Sequence, residues 1–212
     1  MNKVVKFIFA SLFLVLASCS KSATAGEIEQ PETQPETPTN PSDSDNSGTT
    51  DGKTLIVYFS WSGHTRTVAS YIKEFTGADM VEIEVQEPYS SVYNEVTARA
   101  RHELDNDIRP ALKTKVENMD EYDILIVGTP IWGSHLSTPV KSFLASYDLT
   151  GKKILPFCTH GGSGTAQSVN DIRAVCPKAE ILQSLAVYGS QAENSQDEVK
   201  RWLESNGCLK NK

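Results

Sequence analysis

Six consecutive residues, Ser60-Trp61-Ser62-Gly63-His64-Thr65, place three hydroxyls, an imidazole and a glycine between an apolar run and an amphipathic stretch. The first backbone N–H groups of a helix have no intrahelical acceptor. With hydroxyl donors beside them they form a cradle for an anion such as phosphate. No lysine or arginine interrupts these six residues, which suits a phosphate that is held rather than cleaved. The plainer reading is a helix cap by Ser62 or Thr65; one cap needs one hydroxyl, and three are present. Two later loops carry further ligand-type residues. Thr129-Pro130-Ile131-Trp132-Gly133 offers an aromatic face beside a glycine that lets backbone approach closely. Thr159-His160-Gly161-Gly162-Ser163-Gly164 either wraps a ligand or makes a turn. Trp132 itself is either a ring contact or a core tryptophan.

Other chemistries find less support. Cys158 and His160 stand two apart and point to one face of a strand, but a buried cysteine is more often a small hydrophobe than a nucleophile. His64 has no second metal ligand at a recognisable spacing. His160-Gly161-Gly162 looks like an esterase oxyanion loop, yet the chain has no G-x-S-x-G elbow. The stretch 48–54 lacks one residue between its glycines for a P-loop and precedes a strand instead of following one. There is no CxxC, and four cysteines in 212 residues exclude a disulfide-dense scaffold. Two of Cys158, Cys176 and Cys208 are able to bridge in an oxidising compartment, and the spacing does not say which. A net charge of −7 argues against a nucleic-acid partner.

These loops need strands and helices to position them. Thr54–Phe59, Asp123–Val127 and Lys153–Cys158 are near-continuous apolar runs of buried-strand type. Met80–Val85 alternates as a more exposed strand, and Ile181–Val187 is a fifth. Helices are expected from Thr65 to about Phe75, with Thr65 as N-cap, and from Tyr93 to about Leu104. Others are expected from Thr138 to Tyr147, after 161–164 to about Val175, and from Glu193 to Ser205. The mixed charges from Arg99 to Arg109 read as a solvated helix face. Strand and helix alternate five times, which implies a doubly wound parallel α/β sheet with ligands beyond the carboxyl ends of its strands.

Upstream of residue 53 the composition changes. Lys3 and Lys6 precede an apolar run from Phe7 to Leu16, too short for a bilayer span and right for a secretory signal. Leu16-Ala17-Ser18-Cys19 resembles the lipobox of bacterial lipoproteins, which implies lipidation at Cys19 after export. From 20 to 52 there are four prolines, seven acidic residues, one lysine and no aromatic, so the segment is expected to be a disordered tether. The organisation expected is a signal at 1–19, a tether at 20–52 and a globular domain at 53–212. Together the first two place that domain at a bacterial membrane, on the periplasmic or surface side.

The phrase Tyr58-Phe59-Ser60-Trp61-Ser62-Gly63-His64-Thr65 resembles the phosphate loop of the flavodoxin family, Ser/Thr-x-Thr/Ser-Gly-x-Thr. The loops after the third and fourth long strands, Gly128–Gly133 and Pro156–Gly164, are similar to the family's at the expected spacing, so the resemblance covers about 53–207. It implies a flavodoxin-like sheet of five parallel strands in order 2-1-3-4-5 and flavin mononucleotide (FMN) as cofactor. Ser60, Ser62 and Thr65, with the amides of Gly63, His64 and Thr65, would hold the phosphate. Trp61, Tyr89, Thr129, Pro130, Ile131, Trp132, Gly133, Thr159, His160, Gly161 and Gly162 would surround the rest. The expected function is electron transfer by a membrane-anchored flavoprotein whose redox partner is open. Alternatives are an FMN-dependent quinone or metal reductase, and a non-redox binding module that has lost its flavin. The intact phosphate loop weighs against the last. The absence of a second Gly-rich nucleotide fingerprint tilts towards a carrier. The family is usually cytosolic, so a signal and tether are a departure.

Overall fold

The computed structural model describes residues 52–210. The signal, Cys19 and the tether up to 51 lie outside the described residues. The strands are β1 (Thr54–Tyr58), β2 (Asp79–Glu82), β3 (Ile124–Trp132), β4 (His135–Leu136), β5 (Lys153–His160), β6 (Glu180–Ile181) and β7 (Leu185–Tyr188). The helices are α1 (His64–Thr76), α2 (Tyr93–Asp105), α3 (Thr138–Ala145), α4 (Ser168–Val175) and α5 (Gln196–Ser205). Short 3₁₀ segments occupy Met119–Glu121 and Gly189–Asn194.

The sheet runs β2-β1-β3-β5-β6, all parallel, with β7 also parallel to β5. This is the expected five-position flavodoxin-like order, with β6 and β7 sharing the fifth place. The break has a local cause. Ile154 pairs with Ile181 and Phe157 with Leu185, so Leu182–Ser184 set three residues against Leu155 and Pro156. The amide of Leu182 donates to the carbonyl of Ile154, so Ile154 faces this edge and Pro156, two residues on, faces it too. Proline has no N–H to give the ladder. The carbonyl of Gln183 turns instead to the indole N–H of Trp202, at 2.7 Å.

Alternate residues of the central strands feed two cores. Leu55, Val57, Leu125 and Val127 pack with Val140, Phe143 and Leu144 of α3 and Ile172 of α4. Ile56, Tyr58, Ile126 and Phe157 pack with Val68, Ala69 and Ile72 of α1 and with Val199, Trp202 and Leu203 of α5. Both faces of the sheet are therefore covered, as parallel strands require. Among the described residues no helix is long and apolar enough to cross a membrane.

Several boundaries differ from expectation. The second strand ends at Glu82, and Val85 makes only an isolated bridge to Leu112. Helix α1 starts at His64 with Gly63, not Thr65, at the cap position, and no side chain of the cap residue bonds the helix. The last helix begins at Gln196 because a 3₁₀ stretch occupies Gly189–Asn194.

Candidate functional site

The carboxyl ends of β1, β3 and β5 open into a cleft of about 1010 Å³, at the upper end of the usual size for a small-molecule site. One end is the Ser60–Thr65 loop. Gly63 has φ +92°, a conformation open to glycine, which turns the chain from β1 into α1. Ser60 Oγ accepts from the amide of Arg66 at 3.2 Å, so this hydroxyl satisfies the third amide of the helix. The amides of His64 and Thr65 meet no acceptor among the described residues. Thr65 Oγ lies 2.8 Å from Thr159 Oγ, a buried contact that ties α1 to the end of β5. Two hydroxyls carry two protons and this contact uses one, so one O–H remains for another acceptor. The nearest cation is committed elsewhere. Arg66 donates to both oxygens of Glu82, at 2.9 and 2.5 Å, and Tyr58 donates to the same carboxylate at 3.0 Å. Burial, and then Glu82, push the Tyr58 hydroxyl up to about 12.

The other end is aromatic. Trp132 closes β3 and pairs with His135 across the two-residue turn Gly133-Ser134. Both turn residues have positive φ, +53° and +70°, the geometry of a type I′ hairpin turn. Behind Trp132 lies the ring of Tyr89, with centroids 4.9 Å apart and edge-to-face packing, and Phe59 touches both. The Tyr89 hydroxyl donates to Glu103 Oε2 at 2.6 Å, Thr138 donates to the same oxygen at 2.5 Å, and Arg99 Nε donates to Oε1 at 2.7 Å. The Arg99 guanidinium also sits 4.0 Å over the Tyr89 ring. Burial and then Glu103 raise the Tyr89 hydroxyl well above the usual phenol value.

Glu103 is 4% exposed, which corrects the reading of Arg99–Arg109 as a wholly solvated face. It was missed because a glutamate inside a charged run carries no mark of burial; only the chain path brings Tyr89 and Thr138 to it.

Of the residues singled out from sequence, Trp61, Ser62, His64, Pro130, Ile131, Trp132, Gly133, Thr159, His160 and Gly161 line the cleft. The cleft lining does not include Ser60, Gly63, Thr65, Tyr89, Thr129 or Gly162. Thr129 is buried and its hydroxyl serves Pro130 and Ser137. Gly162 donates its amide to His160 Nδ1 at 2.9 Å. Cys158 does not pair with His160: its thiol points to the carbonyl of Gly164, and burial pushes it up to about 12, so it is no ready thiolate. No cluster of side chains able to hold a metal occurs among the described residues. The cleft also takes residues that the sequence reading did not single out. Tyr93 and Arg101 come from α2, Tyr188 from β7, and His135 and Asp171 from β4 and α4.

A family model described as flavodoxin matches residues 53–206. The chain belongs to the flavodoxin family. Among solved structures, this flavodoxin-family chain is similar to a candidate flavoprotein of Bacteroides eggerthii. Identity is 28% and the TM-score 0.65, over 73% of this chain and 98% of the other. It also shares its fold with a Lactobacillus acidophilus flavoprotein solved in complex with FMN, at 23% identity and a TM-score of 0.56 over 68% and 97% of the two chains. A curated relative, an NAD(P)H dehydrogenase (quinone) of Acidovorax ebreus, is 30% identical over 124 residues, 53% of this chain and 60% of that protein. A Caulobacter vibrioides protein of the same name is 29% identical over 44% of its own length. The chain thus spans about half the length of the curated relatives it matches.

Proposed function

We propose that this protein binds FMN and works in redox chemistry, with the phosphate at the start of α1 and the ring against Trp132. The observation that carries this is the pairing of free first-turn amides with the Thr65–Thr159 hydroxyl contact, at one end of a cleft whose other end is an aromatic wall. The residues fit the group: dipoles and neutral donors meet the phosphate, and an aromatic face with turn backbone beside it meets the ring. Bound there, the flavin would supply one- and two-electron chemistry, while the chain places donors and excludes water. The relative with an FMN complex supports the same reading. Titrating the purified full chain with FMN tests it. The expected result is stoichiometric uptake with quenched flavin fluorescence; no uptake would retire the reading.

Two uses of the flavin are open to such a site. The missing second nucleotide fingerprint favours an electron carrier. The relatives named NAD(P)H dehydrogenase (quinone), and the open cleft beside Trp132, favour a reductase of quinone-type acceptors. Lys3, Lys6, the apolar run and the Leu16–Cys19 lipobox support export and lipid anchoring of this domain through Cys19. Replacing Cys19 by Ser should release the protein from the membrane fraction; a variant that still sediments with membranes would defeat the anchoring reading.

A further inference from the structure

We propose that His135 and Asp171 form a proton-delivery pair at the mouth of the cleft, with His135 protonating a carbonyl-type two-electron acceptor of the quinone class. The proposal rests on the FMN reading above.

Both residues line the cleft, and His135 stands directly across the hairpin from Trp132. Facing residues of such a pair share one side of the ribbon. His135 Nδ1 lies 3.1 Å from Asp171 Oδ2 and 3.3 Å from Oδ1. The carboxylate is itself held, because the amide of Leu136 donates to Oδ2 at 2.9 Å. The amide of Gln167 donates to the carbonyl of Ser134, also at 2.9 Å, and ties the turn to the start of α4. A carboxylate only accepts, so Nδ1 carries the hydrogen and Nε2 is left to exchange protons. Nε2 meets no protein partner among the described residues, and the side chain is 46% exposed.

The other two cleft histidines are set differently. His160 Nδ1 accepts the amide of Gly162, which fixes the opposite tautomer and sets an N–H against any proton added there. The ring of His64 sits against Gly189, where an added Cβ would come within 3.1 Å of it, and no carboxylate partners it among the described residues. Of the three, His135 alone combines a braced Nδ1–H with an open Nε2.

The balance is simple. With FMN bound and reduced by a nicotinamide-type donor, the cofactor would supply a quinone with two electrons and one hydrogen, leaving negative charge on the quinone's second oxygen. The Nε2–H bond of the imidazolium breaks and an O–H bond forms, giving the hydroquinone. His135 becomes neutral, Asp171 keeps its charge, and water at the rim returns the proton. His135 is the catalytic residue in this proposal and Asp171 a positioning residue.

Two measurements test it. On the flavin-free full chain, ¹⁵N-resolved imidazole NMR at alkaline pH, where imidazoles are neutral, should show the hydrogen of His135 on Nδ1, reverting to Nε2–H in Asp171→Ala. An Nε2–H form in the unaltered protein would overturn the pairing. The FMN-loaded chain, reduced with dithionite, is then reoxidised by 1,4-benzoquinone or by ferricyanide, which takes electrons without protons. The ratio of the two rates should fall by about 100-fold or more in His135→Gln and His135→Ala, the size of a lost general acid, with added imidazole restoring part of it in His135→Ala. A ratio unchanged in both variants would overturn the proposal while leaving FMN binding intact; failure to take up FMN at all would overturn both.

Discussion

At one end of the cleft, the phosphate-type loop draws nearly all its parts from six consecutive residues, Ser60 to Thr65, and borrows only Thr159 from another strand. At the other end, the wall behind Trp132 is assembled from Tyr89, Arg99, Glu103 and Thr138, which come from separate stretches of chain. The first end is backbone geometry plus exposed or shared hydroxyls. The second is a buried carboxylate that satisfies three donors at once. Local construction leaves a site cheap to alter without harming the fold, whereas a shared buried charge couples the site to the stability of the whole domain.

The largest expected effect follows from that coupling. Glu103→Ala strips the partner from Arg99 and leaves the Tyr89 and Thr138 hydroxyls without their acceptor. We expect a loss of about 3 kcal/mol in urea unfolding, the lower part of the range for a broken buried pair, because Arg99 is partly exposed and also bonds the carbonyls of Glu87 and Pro88. Glu103→Gln keeps the shape and should cost less. If Glu103→Ala unfolds at the same urea concentration as the unaltered protein, the contrast between the two ends collapses.

The loop end predicts the reverse pattern. Ser62→Ala and Gly63→Val should each weaken FMN binding at least tenfold, about 1.4 kcal/mol. Ser62 is exposed, so its substitution should leave unfolding within about 0.5 kcal/mol of the original. Gly63→Val should add a stability cost of roughly 1–2 kcal/mol, since φ +92° is strained for a β-branched residue. Unchanged FMN affinity in both variants would sink the phosphate assignment.

The same division explains what could be read from the sequence. The loop end was legible, because a strand of continuous apolar residues, a hydroxyl-rich turn and an amphipathic helix are all local patterns. So were β1, β3 and β5, which follow from apolar runs, and the doubly wound sheet, which follows from the handedness of crossovers; the strand order itself is implied only by the family resemblance. The role of Thr65 was not. A threonine before a helix reads as a cap, but here it is the second helical residue, and its hydroxyl reaches Thr159, ninety-four positions away. The β3–β4 hairpin leaves a faint signal, the Gly133-Ser134 pair between Trp132 and His135, of which Gly133 alone stands out in the sequence, and only as a point of close backbone approach. Glu103 left none: its burial depends on where α2 lands against α3. The split fifth strand is not legible either: Pro156 breaks the ladder on one edge of β5, and only the register shows which edge that is.

A smaller effect links the two ends. Thr65→Val or Thr159→Val removes one partner of the hydroxyl contact, and each should cost about 1 kcal/mol of stability. If the contact is what joins the loop to β5, the double variant should lose less than the sum of the singles, as a double-mutant cycle would show. A strictly additive pair would mean that the two hydroxyls act independently and that the loop end stands without support from β5.

The smallest effect comes from the core between the two ends and its sign is fixed by burial. Cys158 and Cys176 are buried thiols that desolvation pushes up to about 12 and about 11. The folded chain therefore keeps these protons at a pH where the unfolded chain gives them up, so stability is fully present below the ordinary thiol pKa and falls as pH rises above it. Taken from an ordinary thiol value of 9.0, the two thiols together should cost slightly less than about 1 kcal/mol between pH 7 and 9, growing beyond pH 9 as the unfolded thiols ionise completely. Denaturant unfolding at the two pH values, repeated on Cys158→Ala with Cys176→Ala, isolates their share; the alkaline loss should shrink in the double variant. Thiol-reagent kinetics give the same answer by another route, because alkylation of a buried, protonated thiol must wait for opening of the sheet. Rapid labelling of Cys158 in the folded protein at pH 8 would mean that the carboxyl end of β5 opens readily. The end of the cleft that carries Thr159, His160 and Gly161 would then be mobile, and the contrast between a local loop and a globally coupled wall would have to be redrawn with β5 on the loop's side.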